Sequence, residues 1–173
     1  MASVKKIFLV DDDAVNNEML KMHLQKKFNL EIITFSNGED CIRNLSSNPD
    51  YIVLDYRMSN SDNPDAADGL EILKRIKQIN PDIYIIFLSG QEKIEVAVDT
   101  IKYGAYDYIV KNQSSFLRLE NCLTNISKHQ ALVRQAKAYK FSTFLLGGVI
   151  VGIIVLAIVL KALGIAVEWP EWM

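Results

Sequence analysis

Cysteine is scarce in this chain, two residues in 173. Cys41 and Cys122 lie far apart and form no CxxC or metal-ligand spacing, so neither a disulfide framework nor a thiolate metal centre is expected. Both fall within helical apolar patterns and read as reduced core thiols, which suits a cytosolic body. The first residues lack an apolar signal-peptide core, so the N-terminus is not expected to be exported. Internal repeats and low-complexity stretches are missing as well. Charge is missing where it matters most. Residues 1–127 carry 14 Lys/Arg against 19 Asp/Glu, a net −5, and so lack the basic excess that binding nucleic acid requires. Residues 128–140 hold Lys128, Arg134, Lys137 and Lys140 and no acid at all. The stretch FSTFLLGGVIVGIIVLAIVL, residues 141–160, contains no charge over twenty residues. An acidic body, a basic collar and an apolar tail are three different regions.

What is present in the body alternates. Short apolar runs stand at Ile7–Val10, Glu31–Phe35, Tyr51–Leu54, Ile83–Leu88 and Tyr106–Val110. Rich in Ile, Val, Phe and Tyr, they read as strands buried on both faces. Amphipathic stripes lie between and after them: Leu20, Leu24 and Phe28; Leu70, Leu73, Ile76 and Lys77; then Phe116, Leu119, Leu123 and Ile126. Asn80-Pro81 stops the third helix, and Ser114 or Ser115 caps the fifth. Five strands alternating with helices predict an α/β fold, a doubly wound, five-stranded parallel sheet with right-handed crossovers.

The run KKIFLVDDDAV ends on Asp11, Asp12 and Asp13. Like charges this close are costly unless solvated or countered. Asp55 ends the third strand, Ser89-Gly90 the fourth and Lys111 the fifth, so acids, a hydroxyl and an ammonium converge on the carboxyl rim, where open α/β sheets bind ligands. A hard divalent cation makes such an acidic set tolerable, and Mg²⁺ suits it, taking oxygen ligands while keeping waters free for phosphate oxygens. Ser89 supplies a donor and Lys111 a compact positive charge. Asp55 can then attack a phosphoryl group as a carboxylate nucleophile.

With FLVDDD, YIVLDYRM, DGLEILKRI, IIFLSG and GAYDYIVK in this order, residues 4–127 resemble the response-regulator receiver domain of two-component signalling. The resemblance implies a flavodoxin-like fold with Asp55 as phosphoacceptor and Asp11 and Asp12 as the acidic pair. It implies Mg²⁺ held by Asp12, Asp55 and the backbone carbonyl of Arg57, with Asp11 acting largely through water. Ser89 matches the switch hydroxyl, Tyr108 the switch aromatic that moves inward on phosphorylation, and Lys111 the phosphate-contacting lysine. Asp13 is expected to cap the first helix rather than ligate metal. The implied donor is a sensor histidine kinase or a histidine phosphotransfer protein. The role is signalling, not that of a conventional enzyme.

Two features depart from the family pattern. Met58-Ser59 stands in place of the usual Met-Pro, and Asp68-Gly69 arrives about six residues late, which enlarges the polar loop 59–67; it is either a tolerated surface insertion or a change in partner choice and water access. Asn112 stands where proline commonly follows the lysine, so Lys111 is expected to be held differently. His23 and His129 are expected to carry neither phosphate nor metal. Met19, Met22 and Met58 read as packing or loop residues.

The tail completes the expectations. Twenty residues at helical rise span about 30 Å, the hydrocarbon thickness of a bilayer. The domain reading is therefore a receiver at 1–127, a basic juxtamembrane helix or linker at 128–140, a transmembrane helix at 141–167 and a short external tail at 168–173. Basic residues before the span and Glu168 and Glu171 after it place the body in the cytoplasm, on the inner membrane. Lys161 snorkels outward, and Trp169 and Trp172 sit at the outer interface. A re-entrant tail turning at Gly147-Gly148 or Gly164 is the alternative topology. Gly148 and Gly152 have the GxxxG spacing of a helix-dimer face, and the other tail partner is membrane lipid. The leading functional expectation is a membrane-tethered single-domain response regulator that signals through its fourth helix, fifth strand and fifth helix. A constitutive docking module with a vestigial phosphorylation site is the alternative. An independent hydrolase lacks a substrate-pocket signal.

Overall fold

The computed structural model describes residues 4–58, 68–90 and 93–162. Five strands form one parallel sheet: β1 (Lys5–Val10), β2 (Leu30–Phe35), β3 (Tyr51–Leu54), β4 (Tyr84–Ser89) and β5 (Asp107–Val110), in the order β2-β1-β3-β4-β5. The helices are α1 (Ala14–Gln25), α2 (Gly38–Arg43), α3 (Gly69–Ile79), α4 (Ile94–Lys102) and α5 (Ser115–Ala162), with a short 3-10 turn at Leu45–Ser47. This is the doubly wound, flavodoxin-like architecture expected from the alternation.

The strand order has a consequence for function. The chain builds β2 on one side of β1 and then crosses to build β3 on the other, so helices leave the carboxyl ends of β1 and β3 in opposite directions. A crevice opens there, at the topological switch point. Central strands supply the core. Ile7, Phe8, Leu9, Ile52, Leu54, Ile85, Ile86 and Phe87 are fully buried, each contributing about 1.5–3 kcal/mol by leaving water. β2 corrects the expectation of strands buried on both faces. It has a single strand neighbour, and none of its residues is fully buried. At this edge Glu31 and Thr34 are exposed and the other residues half-buried, so β2 is less covered than the central strands.

The helices follow their stripes and caps. Asp13 Oδ1 accepts from Val15 N at 2.8 Å and starts α1, which buries Leu20 and Leu24. Met19 and Met22 do not pack as expected; each is 49% exposed. At 100° per residue they fall off the Leu20–Leu24 stripe. Met58 does pack, joining the core at 3% exposure. Asp68 Oδ1 accepts from Glu71 N at 2.8 Å and starts α3, which buries Ile72, Leu73 and Ile76 and ends at Asn80. Cys41 and Cys122 are free and buried, as expected, and burial pushes both thiols up to about 12.

The chain divides into two units, the first ending at Leu123 and the second beginning at Thr124. In the first, Leu119 and Leu123 are buried along α5. In the second, residues 143–160 form a helix long and apolar enough to cross a membrane, with a mean hydropathy of 2.9 and none of its window buried. The loop 59–67, the span beyond Ala162 with Gly164, and the tail with Glu168, Trp169, Glu171 and Trp172 lie outside the described residues.

Candidate functional site

Backbone pairing brings the rim together before any side chain acts. Asp55 N donates to Val10 O at 2.8 Å, Lys111 N to Ser89 O at 2.7 Å and Asp11 N to Phe35 O at 3.2 Å, so the carboxyl ends of β2, β1 and β3 are tied together, as are those of β4 and β5. Asp11 and Asp55 thereby flank the switch point. One carboxylate oxygen from each of Asp11, Asp12 and Asp55 lies within 4.8 Å of the others.

A positive charge sits among these acids, and it is the Lys111 ammonium. Nζ donates to Asp11 Oδ2 at 2.6 Å and lies 3.4 Å from Asp55 Oδ1. Asp11 Oδ1 accepts from Asp13 N at 2.9 Å, so both Asp11 oxygens are engaged. Asp55 Oδ1 is buried and accepts no hydrogen bond. Burial pushes the Asp55 carboxyl up to about 6, against the pull of Lys111 and with the help of the Asp11 charge. Burial works to lower the Lys111 pKa, but the hydrogen bond to Asp11 and the charges of Asp55 and Asp11 outweigh it and raise it.

These residues fit a hard divalent cation. Three carboxylates face one ammonium, which leaves a formal charge of −2 in a largely buried crevice, and the buried Asp55 oxygen lacks a donor. A cation with oxygen preference supplies the missing charge and satisfies that oxygen. A recess of about 190 Å³ reaches Asp11, Asp55 and Lys111, its inner wall formed by Leu9, Leu20 and Phe116.

The other expected residues are placed as follows. Ser89 ends β4 and is fully buried. Arg57 is exposed two residues past Asp55. Tyr108 is not at the acidic cluster; it is 8% exposed and stacks on Phe87 with ring centroids 6.2 Å apart. It already lies inside, where inward movement was expected, and it lines a groove with Ile94, Val98 and Ile101 of α4. His23 is occupied away from the rim, with Nε2 2.5 Å from Glu120 Oε1.

Three further residues support the site, of which Asn17 is not singled out by the sequence. Asn17 is buried, and its Nδ2 donates to Asp11 O at 2.8 Å and to Phe35 O at 3.1 Å, holding the ends of β1 and β2 together. Gly69 opens α3 against the nucleophile: a Cβ there would lie 2.7 Å from Asp55 O and 2.8 Å from Tyr56 Cα. That contact gives the Asp68-Gly69 pair a steric reason. Asn112, at the position of the usual proline, accepts through Oδ1 from Ser114 N and from Ser114 Oγ, each at 2.9 Å, and its carbonyl accepts from Ser115 Oγ at 2.8 Å. A side-chain turn thus leads from Lys111 into α5 over a trans peptide bond.

Comparison with known proteins agrees with this geometry. The family model described as response regulator receiver domain matches residues 7–120. The DNA-binding transcriptional regulator NtrC of Escherichia coli K12 is 33% identical over 106 residues, which is 61% of this chain and 21% of NtrC. The chain therefore matches about a fifth of the length of that relative. A response regulator receiver domain protein from Clostridium thermocellum superposes with a TM-score of 0.64 at 24% identity, covering 75% of this chain and 99% of its own. The response regulator DrrB of Thermotoga maritima, an OmpR/PhoB homologue, gives a TM-score of 0.62 at 26% identity, covering 74% of this chain and 54% of its own.

Proposed function

Because the chain belongs to the response regulator receiver domain family, we propose that it is a membrane-tethered phosphoacceptor switch with Asp55 as the phosphorylated residue. The observation that carries the proposal is the Asp11, Asp12 and Asp55 cluster gathered around Lys111 at the switch point. Asp55 is the nucleophile because its Oδ1 accepts no hydrogen bond and the residue lines the recess between Asp11 and Lys111. A carboxylate oxygen of Asp55 forms a bond to phosphorus as the bond from phosphorus to the donor's imidazole nitrogen breaks, the donor being a histidine kinase or a phosphotransfer protein. Asp12, Asp55 and the Arg57 carbonyl would hold Mg²⁺, with Asp11 acting largely through water, and the ion would supply charge neutralisation for the phosphoryl oxygens. Lys111 adds a second positive charge 3.4 Å from Asp55 Oδ1. Hydrolysis reverses the change: water attacks phosphorus, the Asp55–phosphorus bond breaks and the carboxylate returns.

Ser89 turns its hydroxyl to the phosphoryl group, and the Tyr108 position and the α4 surface respond. The switch is a shift between populations that differ in these contacts. The apolar helix at residues 143–160 supports the tether, with 141–167 as the span, the body in the cytoplasm and the basic collar on the inner side. A vestigial docking module is the weaker reading, since it leaves the buried, donorless Asp55 oxygen without a purpose.

Incubation with a small-molecule phosphodonor and Mg²⁺, read by intact mass, tests the assignment. One phosphoryl adduct is expected on the native chain and none on Asp55→Asn; an adduct that persists in the variant overturns it.

A further inference from the structure

We infer that the collar is a binding site for anionic lipid headgroups, an inference that rests on the membrane tether proposed above. No Asp or Glu stands between Glu120 and Glu168. Lysines on a helix surface commonly find an acid three or four residues away, and here Lys128, Arg134, Lys137 and Lys140 have none at any such spacing. Lys128 and Arg134 are exposed in the second unit's helix. Leu132 at 64% and Tyr139 at 74% exposure share that stretch, so it combines unneutralised positive charge with uncovered apolar area, the composition that favours an anionic interface.

Position along the helix separates the four charges. Counting back from Phe141 at 1.5 Å per residue, Lys140 lies at the edge of the apolar stretch, Lys137 about 6 Å away, Arg134 about 10 Å and Lys128 about 20 Å. The headgroup layer is about 5–7 Å thick on each side, and charges are screened over about 8 Å at physiological salt. By helical rise alone, positions 137 and 140 fall within the depth of the headgroup layer, position 134 within one screening length of it, and position 128 outside. Each basic residue near an anionic surface favours it about fivefold. Positive-inside placement needs only the charge itself during insertion. The graded distances additionally call for a standing preference between lipids in the folded protein.

The test uses the full chain in nanodiscs of equal phosphatidylglycerol and phosphatidylcholine, with the lipids retained on the protein counted by native mass spectrometry. Phosphatidylglycerol should be retained severalfold over phosphatidylcholine, and the excess should shrink at 0.5 M salt. Arg134→Gln/Lys137→Gln/Lys140→Gln should return retention to the bulk ratio, the matching variant with Lys137→Arg/Lys140→Arg alone should keep the enrichment, and Lys128→Gln should leave it unchanged. Retention at the bulk ratio by the native chain, or enrichment that survives the triple Gln variant, overturns the inference while leaving the tether standing. Failure of the chain to enter nanodiscs at all overturns both.

Discussion

Lys111 gives its hydrogen bond to Asp11, at 2.6 Å, although it also faces Asp55. The nucleophile is thereby spared. An ammonium bonded to Asp55 would compete with an incoming phosphoryl group, whereas one held by Asp11 at 3.4 Å from Asp55 Oδ1 supports the charge without occupying the attacking oxygen.

The raised Asp55 carboxyl makes stability depend on pH in a definite direction. Its folded pKa of about 6 lies above the ordinary 3.8, so the folded state holds an extra proton between these values, and stability falls as pH rises from about 4 to 6 and stays lowered above that. The cost at pH 7 is about 3 kcal/mol. Without divalent cation, Asp55→Asn should therefore melt several degrees above the native chain at pH 7, and the gap should close as pH falls from 6 to 4. Added Mg²⁺ should raise the native melting temperature and not that of the variant. Equal melting at pH 7 would falsify the burial argument.

The Ser89 hydroxyl should be what links phosphorylation to α4. In NMR spectra, resonances of α4 and of Tyr108 should shift on phosphorylation of the native chain and stay in place in phosphorylated Ser89→Ala. A full shift in the variant removes Ser89 from the coupling.

Asn112 should do through its side chain what proline does elsewhere by its ring. Asn112→Ala loses two hydrogen bonds to Ser114 and should cost about 1 kcal/mol in denaturant unfolding. It should also slow phosphorylation severalfold by loosening Lys111, and Asn112→Asp should restore both properties. A variant with native rate and stability would show that the turn does not position the lysine.

Topology is decided by labelling. Met173→Cys in a Cys41→Ala/Cys122→Ala background should react with a membrane-impermeant thiol reagent in intact cells. Reaction only after lysis places the tail inside and supports the re-entrant alternative.

Much of the fold was legible because its signals are local. Tyr51–Leu54 was read to the residue, since a buried run bounded by polar residues has few alternatives. The acidic rim followed from strand ends alone. Of three features not read correctly, two depend on distant residues and one on helical angle. The half-exposure of β2 depends on its having one neighbour in the sheet, which apolar content does not encode. Met19 and Met22 were assigned by chemistry, whereas their angle from Leu20 decides their exposure. Asn17 bonds to Phe35 O eighteen residues away, and no periodicity announces such a contact. Gly69 and Asn112 do leave traces, the first as the Asp-Gly pair that proves to be steric, the second as the residue in place of proline.

The hydrogen bond from Gly69 N to Tyr56 O, at 2.9 Å, closes the chain on either side of the enlarged loop. With Met58 held in the core before the loop and Gly69 pressed against the Asp55 backbone after it, the position of Asp55 is fixed by the residues on either side, whatever the length of chain between them.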